Sequence, residues 1–260
     1  MLVDWAPYMT DDQQTQWLRL ILFMTVMFLL TLSAELLNIF YFFLMFIATW
    51  AFVQWEGSGS IAKLGLDIDN RSGFRFIIGV LAAVFSVGLV TAIALFFGGQ
   101  LRPTSEITAD WMFVVITNAV LFSFIEELTH RGYILTRAEK LVGRGLAIVL
   151  SSLFFSVLHF SWWGLAGFNM LLIFIFSLNM FLGGVVLSFS YYWAGRSLWA
   201  PIGFHFMWNV LAYTLFPSFP EIPVIRPEIF QIEWGLTTII GFLFALSILW
   251  GFLATRQNKE

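Results

Sequence analysis

Apolar residues dominate this chain in long runs, and polar residues fall mostly between them. A helix needs about 20 mostly apolar residues to cross a bilayer core, with a range of about 17–25. Eight stretches approach that length. They run roughly from Trp17 to Leu32, Leu36 to Val53, Phe74 to Phe97, and from Trp111 to at least Ile125. The others span Leu146 to Trp163, Phe168 to Trp193, Leu198 to Phe216 and Trp234 to Leu253. Backbone groups in lipid must bond internally, and a closed barrel would show alternating strands rather than unbroken runs. The pattern predicts an all-α membrane protein of about eight transmembrane helices. The bundle occupies residues 17–254, between a cytoplasmic N-terminal segment (1–16) and a cytoplasmic tail (255–260). Ser33, Ala34 and Glu35 alone part the first two stretches, which implies a tight helical hairpin. Ser161 to Gly167 carries no charge and can dip into the membrane.

Composition agrees. Of 260 residues, 60% are apolar, 19% aromatic and only 11% charged, and mean hydropathy is +0.86. Soluble domains carry roughly 25% charge, so this chain cannot cover a globular surface with polar groups. A net charge of −3 also lacks the basic stripe that nucleic acid requires. There is no cysteine, which excludes disulfides, thiolate metal sites and a Cys nucleophile. The N-terminus is acidic and polar, unlike a secretory signal.

Basic residues set the orientation. With eight spans, Arg19, Lys63, Arg71, Arg75, Arg131, Arg137, Lys140, Arg144, Arg196, Arg256 and Lys259 share one side, leaving Arg102 and Arg226 on the other. Cytoplasmic loops are enriched in Lys and Arg, so both termini are expected in the cytoplasm. Trp17, Trp50, Trp55, Trp111, Trp162, Trp163, Trp193, Trp199, Trp234 and Trp250 sit near span ends, as interfacial anchors do. The Gly183–Gly184 pair suits close helix packing.

Charge inside a span is costly and marks a functional hypothesis. Two readings of residues 126–131 stand. Either the fourth helix ends at Ile125 and these charges are solvated, or it continues to about Arg137 and buries them. In the second case Glu127 and Arg131, at i and i+4 with the acid first, form an ion pair. Glu126 is rotated by about 100° from Glu127 and faces His130 instead. His159 and His205 lie within other apolar stretches, and Asn209 shares the face of His205. A carboxylate, two imidazoles and an amide on separate helices are the groups that activate water and hold an oxyanion. Glu126, His159 and His205 are also a two-His, one-carboxylate set, so zinc is an open alternative.

Glu126 to Arg131 matches EExxxR, Phe155 to His159 matches FxxxH, and His205 to Asn209 matches HxxxN. In this order on successive helices they resemble the CPBP family of CAAX prenyl proteases and bacteriocin-processing proteins, also called the Abi family. The likeness covers about Leu121 to Ala212, and EELTHRGYIL and SLWAPIGFH resemble its bacterial form. It implies an intramembrane endopeptidase with a catalytic cavity open to the cytoplasm of a bacterial plasma membrane. It also implies that Glu126 activates water, His159 assists, and His205 with Asn209 holds the oxyanion. Glu127 and Arg131 would support them. The family is commonly labelled metalloprotease, although a glutamate mechanism without metal suits its CAAX-processing members. His130 departs from the apolar residue found in many relatives. The partners implied are membrane lipids and a membrane-associated peptide or protein, prenylated or not. Two other functions suit such a bundle: a non-catalytic scaffold or regulator, and a proton-coupled transporter. His205 lies about 10 Å into its helix and His159 about 20 Å into its own. They can meet only if Leu141 to Gly145 sits within the bilayer rim or caps a sunken helix.

Overall fold

The computed structural model of the protein describes residues 11–163, 169–216 and 226–255. The start of the N-terminal segment, most of the 161–167 connection, and the tail with Arg256 and Lys259 lie outside the described residues. The fold among them is all-helical, with a helix in each of the eight apolar stretches. These are α1 (Asp11–Leu32), α2 (Phe40–Trp55), α3 (Ser72–Phe96) and α4 (Ala109–Val142), then α5 (Arg144–Trp163), α6 (Met170–Trp193), α7 (Trp199–Leu215) and α8 (Thr237–Ala254). α1, α3, α4, α6 and α8 are long and apolar enough to cross a membrane, while α2 and α5 are shorter apolar helices. Large apolar side chains such as Leu18, Phe43, Ile47, Phe85 and Phe113 stand exposed on the outside of the bundle. Water would not tolerate so extensive a surface; lipid does. The chain is a multi-pass membrane protein.

Three boundaries differ from the sequence expectation. α1 begins at Asp11, not Trp17, because its polar first turns continue the helix beyond the apolar run. The hairpin after α1 is longer than three residues. A single turn (Ala34–Leu37) follows Ser33, and Asn38 takes φ 49° before α2 begins at Phe40. Asn is among the few side chains that tolerate that region. Finally, α8 begins at Thr237, and Trp234 is no interfacial anchor: it is buried and its ring lies 4.4 Å from that of Phe176. The segment before α8 turns inward rather than lying at the surface. Trp50, Trp55 and Trp250 are exposed, as anchors should be.

α4 settles the two readings of residues 126–131. It runs unbroken through them to Val142, with a π-helical stretch from Leu128 to Leu135. Such widened turns are rare and recur at functional sites. All eight residues of the stretch are buried, so the charges are inside the protein and not in a loop. Gly143, at φ 77°, then turns the chain and α5 starts at once.

Small residues let the helices approach. A Cβ on Gly79 of α3 would lie 2.1 Å from the Ala200 carbonyl, and one on Gly203 of α7 would lie 2.2 Å from that of Phe76. The two helices therefore touch backbone to backbone. Gly184 of α6 is packed in the same way on Ser152 of α5, at 2.8 Å, which answers the expectation for the Gly pair. Two large apolar cores result, beside a smaller cluster of Phe155, Phe176, Met180 and Trp234. One gathers α1, α2 and the buried part of α4, and the other gathers α3, α7 and α8.

Candidate active site

A cavity of about 320 Å³ lies among α4, α5, α6, α7 and the segment before α8. Trp111, Val115, Asn118, Phe122 and Glu126 line it along one face of α4. The spacing of 15 residues from first to last makes that face about 22 Å long. The walls are mainly aromatic and aliphatic, with a few polar groups, as in binding cavities generally.

Glu126, His159, His205 and Asn209 all line this one cavity. Glu126 Oε2 lies 3.9 Å from His205 Nε2 and accepts no hydrogen bond among the described residues. Glu126, His205 and Asn209 are 7–8% exposed, so they face the cavity and little else. Phe155 lies between His159 and His205, its ring centroid 4.6 Å from the first and 6.1 Å from the second.

Each imidazole is oriented through Nδ1. His159 Nδ1 donates to the Phe155 carbonyl at 2.8 Å, and His130 Nδ1 to the Glu126 carbonyl at 2.9 Å. A carbonyl only accepts, so in both rings the proton sits on Nδ1 and Nε2 carries a lone pair when the ring is neutral. His130 therefore holds the backbone of Glu126, not its carboxylate as the i+4 spacing suggests. His205 Nδ1 donates to Glu127 Oε1 at 2.8 Å.

That same Glu127 oxygen accepts from Arg131 Nη1 at 2.9 Å, and Arg131 Nη2 reaches the Gly184 carbonyl at 3.1 Å. Both side chains of the pair are fully buried. The pairing expected from sequence is present, and Glu127 also couples Arg131 to His205. The guanidinium lies 4.6 Å above Phe155, which meets the His130 ring edge-on at 5.1 Å. Phe155 is thus a common wall for Arg131, His130, His159 and His205. The sequence marked it only as the first letter of FxxxH.

Among the described residues, no three His, Asp or Glu side chains are grouped so as to hold a metal ion. Glu126, His159 and His205 share the cavity without forming such a set.

Tyr41 and Glu233 are among the cavity-wall residues that the sequence did not single out. Tyr41 reaches the cavity from α2, bonded to Thr31 at 3.2 Å. Glu233 reaches it from the segment before α8, where its carboxylate accepts from Trp208 Nε1 at 3.1 Å. A lone acid between apolar neighbours, IEW, was the available signal for Glu233.

Residues 108–211 match the family model described as type II CAAX prenyl endopeptidase Rce1-like. A comparison with curated proteins finds no match. The matched stretch opens just before α4 and ends two residues after Asn209, so it contains all three motifs. Over that stretch, which supplies most of the cavity's polar groups, the chain is similar to the Rce1-like family, in line with its three ordered motifs.

Proposed function

We propose that the protein is an intramembrane endopeptidase that hydrolyses peptide bonds of membrane-associated peptides or proteins. The observation that carries this reading is the unbonded Glu126 Oε2, 3.9 Å from His205 Nε2 in a largely apolar cavity. That gap leaves a water on Glu126 in reach of a carbonyl held beside His205.

The chemistry follows from the proton positions. Glu126 takes a proton from water as the oxygen attacks the scissile carbonyl, and His159 Nε2 accepts the second hydrogen and orients the water. The oxyanion falls to His205 and Asn209. His205 can donate there only when Nε2 is protonated. The Glu127 carboxylate holds Nδ1, as the carboxylate of a catalytic triad orients its imidazole. Arg131 anchors Glu127, so one fixed cation sets the orientation of the whole row. As the C–N bond breaks, Glu126 returns its proton to the leaving amine. Water exclusion by the apolar walls strengthens each of these bonds.

Both termini face the cytoplasm of a bacterial plasma membrane in this reading, supported by the distribution of Lys and Arg. The substrate is a small membrane-associated peptide or protein, prenylated or not, since an apolar cavity of this kind accepts either.

The test compares membrane peptides of cells carrying wild-type or Glu126→Gln protein. Substrates should accumulate uncut in Glu126→Gln, and purified Glu126→Gln, His159→Ala and His205→Ala should each lose at least roughly 100-fold in kcat while folding normally. Cleavage at the wild-type rate by Glu126→Gln would refute the mechanism.

A further inference from the structure

Residues 231–235, just before α8, are irregular yet buried. Residues 227–230 make one helical turn, after which Gln231, Ile232, Glu233 and Trp234 are all buried. Irregular backbone inside an apolar bundle survives where protein groups satisfy it or where it lines a cavity. Both conditions hold. Asn179 of α6 donates to the carbonyls of Glu233 (2.7 Å) and Gly235 (3.0 Å). The Glu233 N–H donates to Thr238 Oγ1 at 2.9 Å. Gly235 has no room for a side chain, since a Cβ would meet the Ile229 carbonyl at 2.5 Å.

These bonds hold Glu233 at φ 67°, a left-handed conformation that costs energy for any residue with a side chain. The cost has a visible result: the carboxyl group faces the cavity that contains Glu126, His205 and Asn209. One carboxyl oxygen accepts from the Trp208 indole, and the other receives no donor among the described residues. A buried carboxylate served by one neutral donor lacks a countercharge. Arg131 is committed to Glu127, and no Lys or Arg lines the cavity among the described residues. Among the described residues the cavity therefore offers this acid no cation besides His205, whose Nδ1 is already bonded to Glu127.

We propose that Glu233 forms a substrate subsite that takes a cationic group, the ammonium or guanidinium of a Lys or Arg side chain. This use of the subsite rests on the endopeptidase reading, although its affinity for a cation does not. Trp208 lies about one helical turn, roughly 5 Å, beyond His205 on α7, and Glu233 adds the length of a hydrogen bond. At about 3.4 Å per extended residue, the basic side chain belongs about two residues from the scissile bond. The apolar wall around Glu233, with Trp208 and Trp234, suits the aliphatic stem of such a side chain.

Two measurements decide the point. In the first, n-octylammonium and n-octanol, equal in chain length, are titrated into purified protein while its apparent Tm is followed. Octylammonium should stabilise the wild type and Glu126→Gln alike, with an affinity roughly ten- to a hundred-fold lower in Glu233→Gln. Octanol should not distinguish the three. Equal octylammonium affinity in all three, or a loss confined to Glu126→Gln, overturns the proposal. If Glu233→Gln does not fold, Trp208→Phe replaces it. Removing the competing indole donor should tighten octylammonium binding, and unchanged or weaker binding overturns the proposal.

In the second, paired peptides differ only in Lys or norleucine two residues from the cut. The wild type should prefer Lys through KM by the same factor, and Glu233→Gln should erase that preference by weakening the Lys peptide alone. An equal loss for both peptides overturns the proposal. Should the wild type cut neither peptide, the endopeptidase reading fails, and the octylammonium result still judges Glu233.

Discussion

Replacing Arg131 by Met tests whether the buried charge row is an energetic unit. The substitution removes a 2.9 Å ion pair with Glu127 and a 3.1 Å bond to the Gly184 carbonyl. It leaves the Glu127 carboxylate with no solvent exposure. Stranding one member of a buried pair costs about 3–5 kcal/mol. His205 stays bonded to the same Glu127 oxygen and offsets part of this, so about 3 kcal/mol is expected. For a chain of this size each kcal/mol lowers Tm by about 2–4 °C, which predicts a fall of about 6–12 °C in a detergent melt. Arg144→Met is the control. That side chain is 60% exposed, 3.6 Å from Glu139, and surface pairs contribute about 0–1 kcal/mol. In the double variant Glu127→Leu/Arg131→Met no charge is stranded. It should recover more than half of the loss, because an apolar replacement of a whole buried pair is often close to neutral. An Arg131→Met shift no larger than that of Arg144→Met would refute the argument. So would a double variant as unstable as the two single losses added together.

Two further outcomes follow from the geometry. Gly203→Ala should force α3 and α7 apart, since its Cβ would sit 2.2 Å from a backbone oxygen that cannot rotate away. A loss of about 1–3 kcal/mol is expected, with kcat falling more than KM because α7 carries His205 and Asn209; Gly88→Ala, with open space around it, should melt at or above the wild-type temperature. At the end of α2, burial pushes the Glu56 carboxyl upward. Hydrogen bonds from Arg137 and Tyr133 outweigh it and hold the group below its ordinary value of 4.5. A carboxyl with a depressed folded value stabilises the fold above its unfolded value and loses that contribution as pH falls through the folded one. Melting temperature should therefore drop below about pH 4.5 more steeply in the wild type than in Glu56→Gln, and parallel curves would contradict this.

Some of this protein was decided by the order of its residues alone. Each of the eight apolar runs became a helix, because in lipid or in an apolar core the backbone must satisfy itself locally. Glu127 and Arg131 met because i and i+4 are neighbours on any helix. The order of the three motifs suggested one site for Glu126, His159, His205 and Asn209, and all four line one cavity. Other features needed the tertiary structure. Whether α4 stopped at Ile125 was undecidable from the run itself, because charges end a span unless distant groups pair them. Gly184, His205 and Phe155 supply that pairing from three other helices. Trp234 looked like an anchor and is a core residue, since only the inward turn of residues 227–236 reveals what its ring faces. Glu233 read as an ordinary acid before the last span. Its place in the cavity depends on Asn179, Trp208 and Thr238, contacts between residues far apart or not yet helical, for which local periodicity carries no signal.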